Sequence, residues 1–189
     1  MYNDIIDFYH QNVIDTCSIW NLLSSSTLLS TTKQIRLSFC ITNFVLYECI
    51  YKKRKFIDSS QKELIKRFHN ERKNRNFMDY PISINDLQNN DILYSRKKRS
   101  KGEISSMIFA KITNQAFITD DKHARNLADS FLGIDRVQTI PQLFGFCVYS
   151  GLLLDSGIHA VISEHKELED SITDYLEAAY RKALERRLM

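Results

Sequence analysis

Apolar segments too short to be anything but strands or helix fragments alternate along most of this chain with stretches of helical periodicity. That alternation restricts the fold more than any other feature of the sequence. The strand candidates are Asn12–Thr16, Leu37–Ile41, Tyr80–Ile84 (entered through Pro81), Ala116–Ile118 and a short Arg136–Gln138. Between them, helices are predicted over Ile19–Leu23, Asn43–Lys53 with Thr42 as N-cap, Gln61–Arg75 with Leu64, Ile65 and Phe68 as its buried stripe, and Asn85–Tyr94. Further helices are predicted over Glu103–Thr113, with Ile104, Met107, Ile108 and Ile112 at helical spacing, and over Lys122–Phe131. The Ser/Thr-rich stretch Ser24–Lys33 and the basic stretch Arg96–Gly102 read as loops, and Ile5–Tyr9 as a short helix ahead of the first strand. Everything after Pro141 reads as helical: Gln142–Leu153, Ile158–Glu164, and a charged amphipathic helix from Leu168 to the end. Strands that alternate with helices pair in parallel and are covered on both faces, so the fold class is α/β, with a central, mainly parallel sheet of four or five strands and extra C-terminal helices.

Composition narrows the function classes. At 189 residues and 43% hydrophobic content, the chain has material for one domain with a sizeable core. Its net charge of +3 neither requires nor opposes a nucleic-acid partner. The cysteines Cys17, Cys40, Cys49 and Cys147 form no CxxC pair and read as reduced thiols. The longest charge-free apolar run, Leu143–Leu154, falls short of the ~20 residues a membrane span needs. With Asp4 and Asp7 and no basic residue, the N-terminus does not read as a secretory signal. The expectation is a cytoplasmic protein with no membrane contact.

Acidic residues cluster where a parallel sheet binds ligands, outside the carboxyl ends of its strands. Asp15 follows Val13-Ile14 directly, and Asp120 and Asp121 follow Phe117-Ile118-Thr119. Glu48 is the only charge in the apolar helix Phe44–Tyr51, where a lone carboxylate costs several kcal/mol unless paired or bound to a cation. Each acid also has an ordinary explanation. Glu48 can pair with Lys52 four residues on, Glu103 favours a helix N-terminus, and either Asp120 or Asp121 can cap the helix near Lys122. Taken together, three or four carboxylates are what the hard cations Mg²⁺ or Mn²⁺ require.

The order of these pieces resembles PIN-domain ribonucleases. The matching segments are Val13-Ile14-Asp15-Thr16, Val45-Leu46-Tyr47-Glu48, Gly102-Glu103-Ile104-Ser105-Ser106 and Phe117-Ile118-Thr119-Asp120-Asp121, the last continued by Lys122-His123-Ala124-Arg125. They span roughly residues 12 to 150 in the family's order. The resemblance implies a three-layer α/β/α PIN-like fold and a divalent-metal-dependent endoribonuclease. Its Mg²⁺ or Mn²⁺ would be held by Asp15, Glu48, Glu103 and Asp121, with Asp120 able to assist or replace the last. Thr16, Ser18 and Thr119 are supporting residues. Relatives commonly carry Ser or Asn where this chain has Cys17, so Thr16 or Ser18 is expected to supply the missing hydrogen bond. The implied substrate is RNA, single-stranded or in a loop, whose backbone needs basic neighbours for an acidic site. Lys52, Lys53 and Arg54, beyond Glu48, and Arg96, Lys97, Lys98 and Arg99, ahead of Glu103, are the candidates.

On this reading residues 1–155 form the nuclease domain, with 1–11 an N-terminal helical extension. Residues 156–189 form a helical extension that packs on the domain or meets a partner. A toxin held by an antitoxin, a homodimer and an RNA-processing enzyme are all open. The competing reading is a catalytically silent module of the same fold that binds RNA or protein. A haloacid-dehalogenase-like phosphatase would want an Asp where Cys17 stands, and a receiver domain an acidic pair ahead of its phosphorylated Asp; neither pattern fits.

Overall fold

A computed structural model describes residues 6–52, 58–88, 100–168 and 172–189. Five parallel strands form one sheet in the order β3-β2-β1-β4-β5, comprising β1 Gln11–Ile14, β2 Ser38–Thr42, β3 Phe77–Tyr80, β4 Ala116–Ile118 and β5 Val137–Gln138. The chain builds outward from β1 through β2 to β3, then crosses to the other side of β1 for β4 and β5. The sheet's switch point therefore lies between β1 and β4, where the chain leaves the two strands towards opposite faces of the sheet, the position at which open parallel sheets bind ligands.

The period of two along each strand sorts residues to two cores. Ile14, Phe39, Ile41 and Ile118 face one side, and Val13, Cys40, Phe117 and Val137 the other. The first face carries α1 (Thr16–Ser24), α2 (Ser26–Gln34), α4 (Ser59–Lys73), α8 (Ile140–Tyr149), α9 (Asp155–Glu167) and α10 (Thr173–Leu188). The second carries α5 (Ile84–Gln88), α6 (Lys101–Thr113) and α7 (Lys122–Leu132). The short α3 (Asn43–Leu46) contributes to both, through Val45 and Phe44. The fold is thus a three-layer α/β/α sandwich with a five-stranded parallel sheet, as expected from the sequence. Among the described residues no helix is long and apolar enough to cross a membrane.

Some local expectations shift. The Ser/Thr-rich stretch is α2 rather than a loop: Ser25 caps it by accepting from the Leu28 N–H, and Leu28 and Leu29 are buried. Two of its threonines bond within the helix, Thr31 donating to the Thr27 carbonyl and Thr32 to that of Leu29. The third strand lies earlier than expected and ends before Pro81, which cannot donate to the ladder. No helix forms over residues 6–9, and 1–5 lie outside the described residues. On α6, Ile104, Met107 and Ile108 are buried but Ile112 is exposed. The C-terminal α10 packs back on α8, burying Ile172, Leu176, Ala179 and Ala183 in the first core.

Candidate active site

In a parallel α/β fold each strand feeds a helix, so helix N-termini gather at the same sheet edge as strand carboxyl ends. Orphan backbone N–H groups there attract acidic side chains. Asp15, directly after β1, caps α1: its Oδ1 accepts from the Ser18 N–H at 2.9 Å, and Oδ2 from the Thr119 hydroxyl at 2.6 Å. The Asp15 N–H itself donates to the Ile118 carbonyl, tying the end of β1 to that of β4. Asp15 is only 2% exposed, and burial pushes its carboxyl up from the ordinary 3.8 to about 7, with the neighbouring Asp120 adding to the rise.

Asp120 sits across Ser18 from Asp15. Its N–H donates to Ser18 Oγ, while its carboxylate accepts from Asn21 Nδ2 at 2.8 Å and from the Ile140 N–H at 2.9 Å. Burial raises its pKa as well, offset in part by these donors. Asp120 therefore joins β4, α1 and the start of α8, and both its oxygens have protein donors. Asp121 caps α7 through Oδ1, which accepts from the Ala124 N–H at 2.7 Å. Of the two acids expected to share the cap and the site, Asp121 takes the cap and Asp120 the inner network. Replacing Asp121 by Asn keeps an acceptor for the Ala124 N–H and removes only charge. Thermal stability should then stay within about 0.5 kcal/mol of wild type, whereas Ala should cost about 1 kcal/mol; a thermal melt of the two variants checks this.

Glu48 lies on a single π-helical turn, Tyr47–Tyr51, that follows α3. Its Oε2 accepts from the Thr16 hydroxyl at 2.7 Å, and its Oε1 from the Gly102 N–H at 3.2 Å. The carboxylate thus sits at the N-terminus of α6, where the helix dipole favours negative charge. Gly102 is required by that approach: a Cβ there would lie 2.9 Å from Glu48 Cδ and nearer still to Oε2. Glu103 is the next residue, in the first turn of α6, with its own N–H capped by Ser100 Oγ. The expected Lys52 partner for Glu48 is replaced by Thr16 and Gly102, and Lys52 is exposed. Gly102→Ala should displace the Glu48 carboxylate while leaving the fold intact, since the clashing atoms end a flexible side chain. A thermal midpoint close to wild type together with at least a tenfold loss of Mn²⁺-stimulated RNA cleavage is the expected outcome.

Of the sequence candidates, Asp15, Asp120, Ser18 and Thr119 form one hydrogen-bonded group, and Glu48, Thr16 and Gly102 another. Thr16 is the residue immediately after Asp15, so the two groups meet there. On either side of Cys17, the Thr16 hydroxyl donates to Glu48, and Ser18 links the two aspartates, its N–H donating to Asp15 and its Oγ accepting from the Asp120 N–H. The Cys17 thiol is pushed up by burial and then by Asp15 and Asp120, which keeps it protonated beside them. As placed, no three His, Cys, Asp or Glu side chains among the described residues form a group that could hold an ion. The donor chemistry nevertheless suits a hard cation, being oxygen throughout. Among the described residues Asp15 and Glu48 are held by neutral hydroxyl and N–H donors, not by Lys or Arg. Of the basic candidates, Lys52 is described; Lys53, Arg54, Arg96, Lys97, Lys98 and Arg99 lie outside the described residues.

Sequence reasoning missed Asn21, which anchors Asp120 from within α1, and the packing role of Gly102. Asn21 carried no signal, because its partner is 99 residues away. Gly102 stood beside a candidate acid, yet only the fold shows whose carboxylate it admits. Comparison with protein-family models, with curated proteins and with solved structures finds no match to this chain.

Proposed function

We propose that this chain is a divalent-metal-dependent endoribonuclease of PIN-domain type, acting on single-stranded RNA in the cytoplasm. The observation that supports the reading is Asp15 at the switch point of the sheet with Glu48 held on the adjacent Thr16, both anchored by neutral donors and neither neutralised by a described base. Glu103 in the first turn of α6 and the remaining oxygen of Asp121 complete the donor set. When bound, Mg²⁺ or Mn²⁺ supplies a water of lowered pKa and stabilises charge at the leaving oxygen of the phosphodiester. Asp15, Glu48, Glu103 and Asp121 are the residues that would hold the cation. The Thr16 and Thr119 hydroxyls keep the Glu48 and Asp15 carboxylates aimed. Lys52, one turn beyond Glu48, offsets the repulsion between the acidic edge and the RNA backbone.

The test is cleavage of a mixed single-stranded RNA with Mn²⁺ and with EDTA, by wild type and by Glu48→Gln. The expected result is cleavage by wild type in Mn²⁺ alone and a loss of at least a hundredfold in the variant. Cleavage that survives chelation, or that the variant matches, overturns the reading. A second reading, a silent RNA-binding module, is favoured by Cys17, a weak donor beside Asp15 where relatives commonly place Ser or Asn. It predicts RNA binding by wild type with no cleavage in either condition.

A further inference from the structure

The π-helical turn that carries Glu48 also carries two of the most exposed aromatic side chains among the described residues. Tyr47 is 55% and Tyr51 66% exposed, whereas Phe39, Phe68, Phe77, Phe117 and Phe144 are buried. The two tyrosine rings stack on each other, centroids 6.4 Å apart and planes 26° from parallel. Side chains four apart on a helix meet, so the pairing follows from the turn. Its exposure does not follow, because an aromatic pair is ordinarily stabilised by burial. Glu48 lies between the two in sequence but points inward, its carboxylate on Thr16 and Gly102. The same turn thus sends a carboxylate into the site and an aromatic pair to solvent.

Cations adjoin the turn in sequence. Lys52 follows directly and is exposed; Lys53, Arg54 and Lys55, next in sequence, lie outside the described residues. Lys101, also exposed, precedes the Gly102 that abuts Glu48. Exposed aromatic rings flanked by phosphate-seeking cations are the combination by which proteins grip unpaired nucleotides: the rings stack bases and the cations track the backbone. A duplex offers no free base faces, so the platform selects single strands.

We propose that Tyr47 and Tyr51 form a stacking platform that seats an unpaired base of single-stranded nucleic acid on the turn that carries Glu48. The platform positions substrate; it takes no part in bond breaking. The proposal deepens the nuclease reading and rests on it for the choice of ligand, but its binding test does not require cleavage. Stacking tolerates any base and either sugar, so single-stranded DNA is bound as well as RNA.

The test is fluorescence anisotropy in EDTA with a labelled 12-nucleotide mixed-sequence RNA, its DNA counterpart and a duplex RNA, at fixed salt. The proteins are wild type, Tyr47→Ala/Tyr51→Ala and Tyr47→Phe/Tyr51→Phe, each checked by thermal melting. The expected result is a loss of about tenfold or more in single-strand affinity for the alanine pair, near-wild-type affinity for the phenylalanine pair, and little change for duplex. Wild type that fails to bind single strands, an alanine pair that binds them as wild type does, or an equal loss on duplex overturns the platform. So does an alanine pair whose only change is in self-association by sedimentation, which would make the rings a contact between copies of the chain. Tight single-strand binding lost with the rings, but with no Mn²⁺-dependent cleavage by wild type, upholds the platform and removes the nuclease reading.

Discussion

Asp15→Asn is expected to abolish Mn²⁺-dependent cleavage and, in the same protein without metal, to raise thermal stability at pH 8. The two effects have opposite sign because they draw on one feature, a carboxylate kept in a buried place with neutral partners. Asn is nearly isosteric. It can accept from the Ser18 N–H as Asp15 Oδ1 does, and donate to Thr119 Oγ in place of accepting from it. The contacts survive and the charge goes. Folding raises the Asp15 pKa from 3.8 to about 7, so the folded state holds a proton the unfolded state has released. Below pH 3.8 both states are protonated and there is no penalty. Stability then falls as pH rises from about 4 to about 7, and the full cost stands above that. At about 1.36 kcal/mol per pH unit this cost is on the order of 4 kcal/mol. The gain in Asp15→Asn should therefore be largest at pH 8 and vanish near pH 4, readable as a melting series across pH. Catalysis should fall by at least two to three orders of magnitude at every pH tested.

Leu176→Ala is the second large effect. Leu176 is fully buried where α10 lies on α8, and removing its side chain leaves a cavity in the larger core. The expected cost is about 2–5 kcal/mol, a large part of a domain's stability. Tyr175, the next residue back, is 52% exposed, and Tyr175→Ala should stay within about 0.5 kcal/mol of wild type. If α10 were instead a detachable partner-binding arm, both substitutions would leave the melt of the isolated chain unchanged. Chemical denaturation of the two variants decides the matter.

The legible parts of the fold were those written in short-range pattern. The fourth strand, Ala116–Ile118, is bounded by polar residues on both sides, and its limits coincide with the observed β4. Thr42 was readable as a cap because the capping geometry is local, and it does accept from the Val45 N–H. Glu48 was conspicuous as a lone charge in apolar surroundings. What the pattern could not show depends on partners far along the chain. The helix α2 was hidden by its serines and threonines, and part of what holds its N-terminus is Glu164, which accepts from the Ser25 and Ser26 hydroxyls across nearly the whole sequence. The third strand was misplaced because its register is set by pairing Phe77 with Phe39 and Tyr80 with Thr42. The acids were found as individuals, but their grouping through Ser18, Thr16 and Asn21 is a product of topology. The π-helical turn at Glu48, which separates its carboxylate from the two tyrosines, leaves no mark in hydrophobic periodicity.

A nuclease of this kind requires the acidic edge at β1 and β4 to take up a divalent cation. The direct measurement is the thermal midpoint of the metal-free chain titrated with Mn²⁺ at neutral pH, beside Glu48→Gln. Saturating Mn²⁺ at about a hundred times the dissociation constant should stabilise wild type by about 2.7 kcal/mol, and the variant by far less. A wild-type midpoint that does not move, or a variant that moves as far, would contradict the nuclease reading.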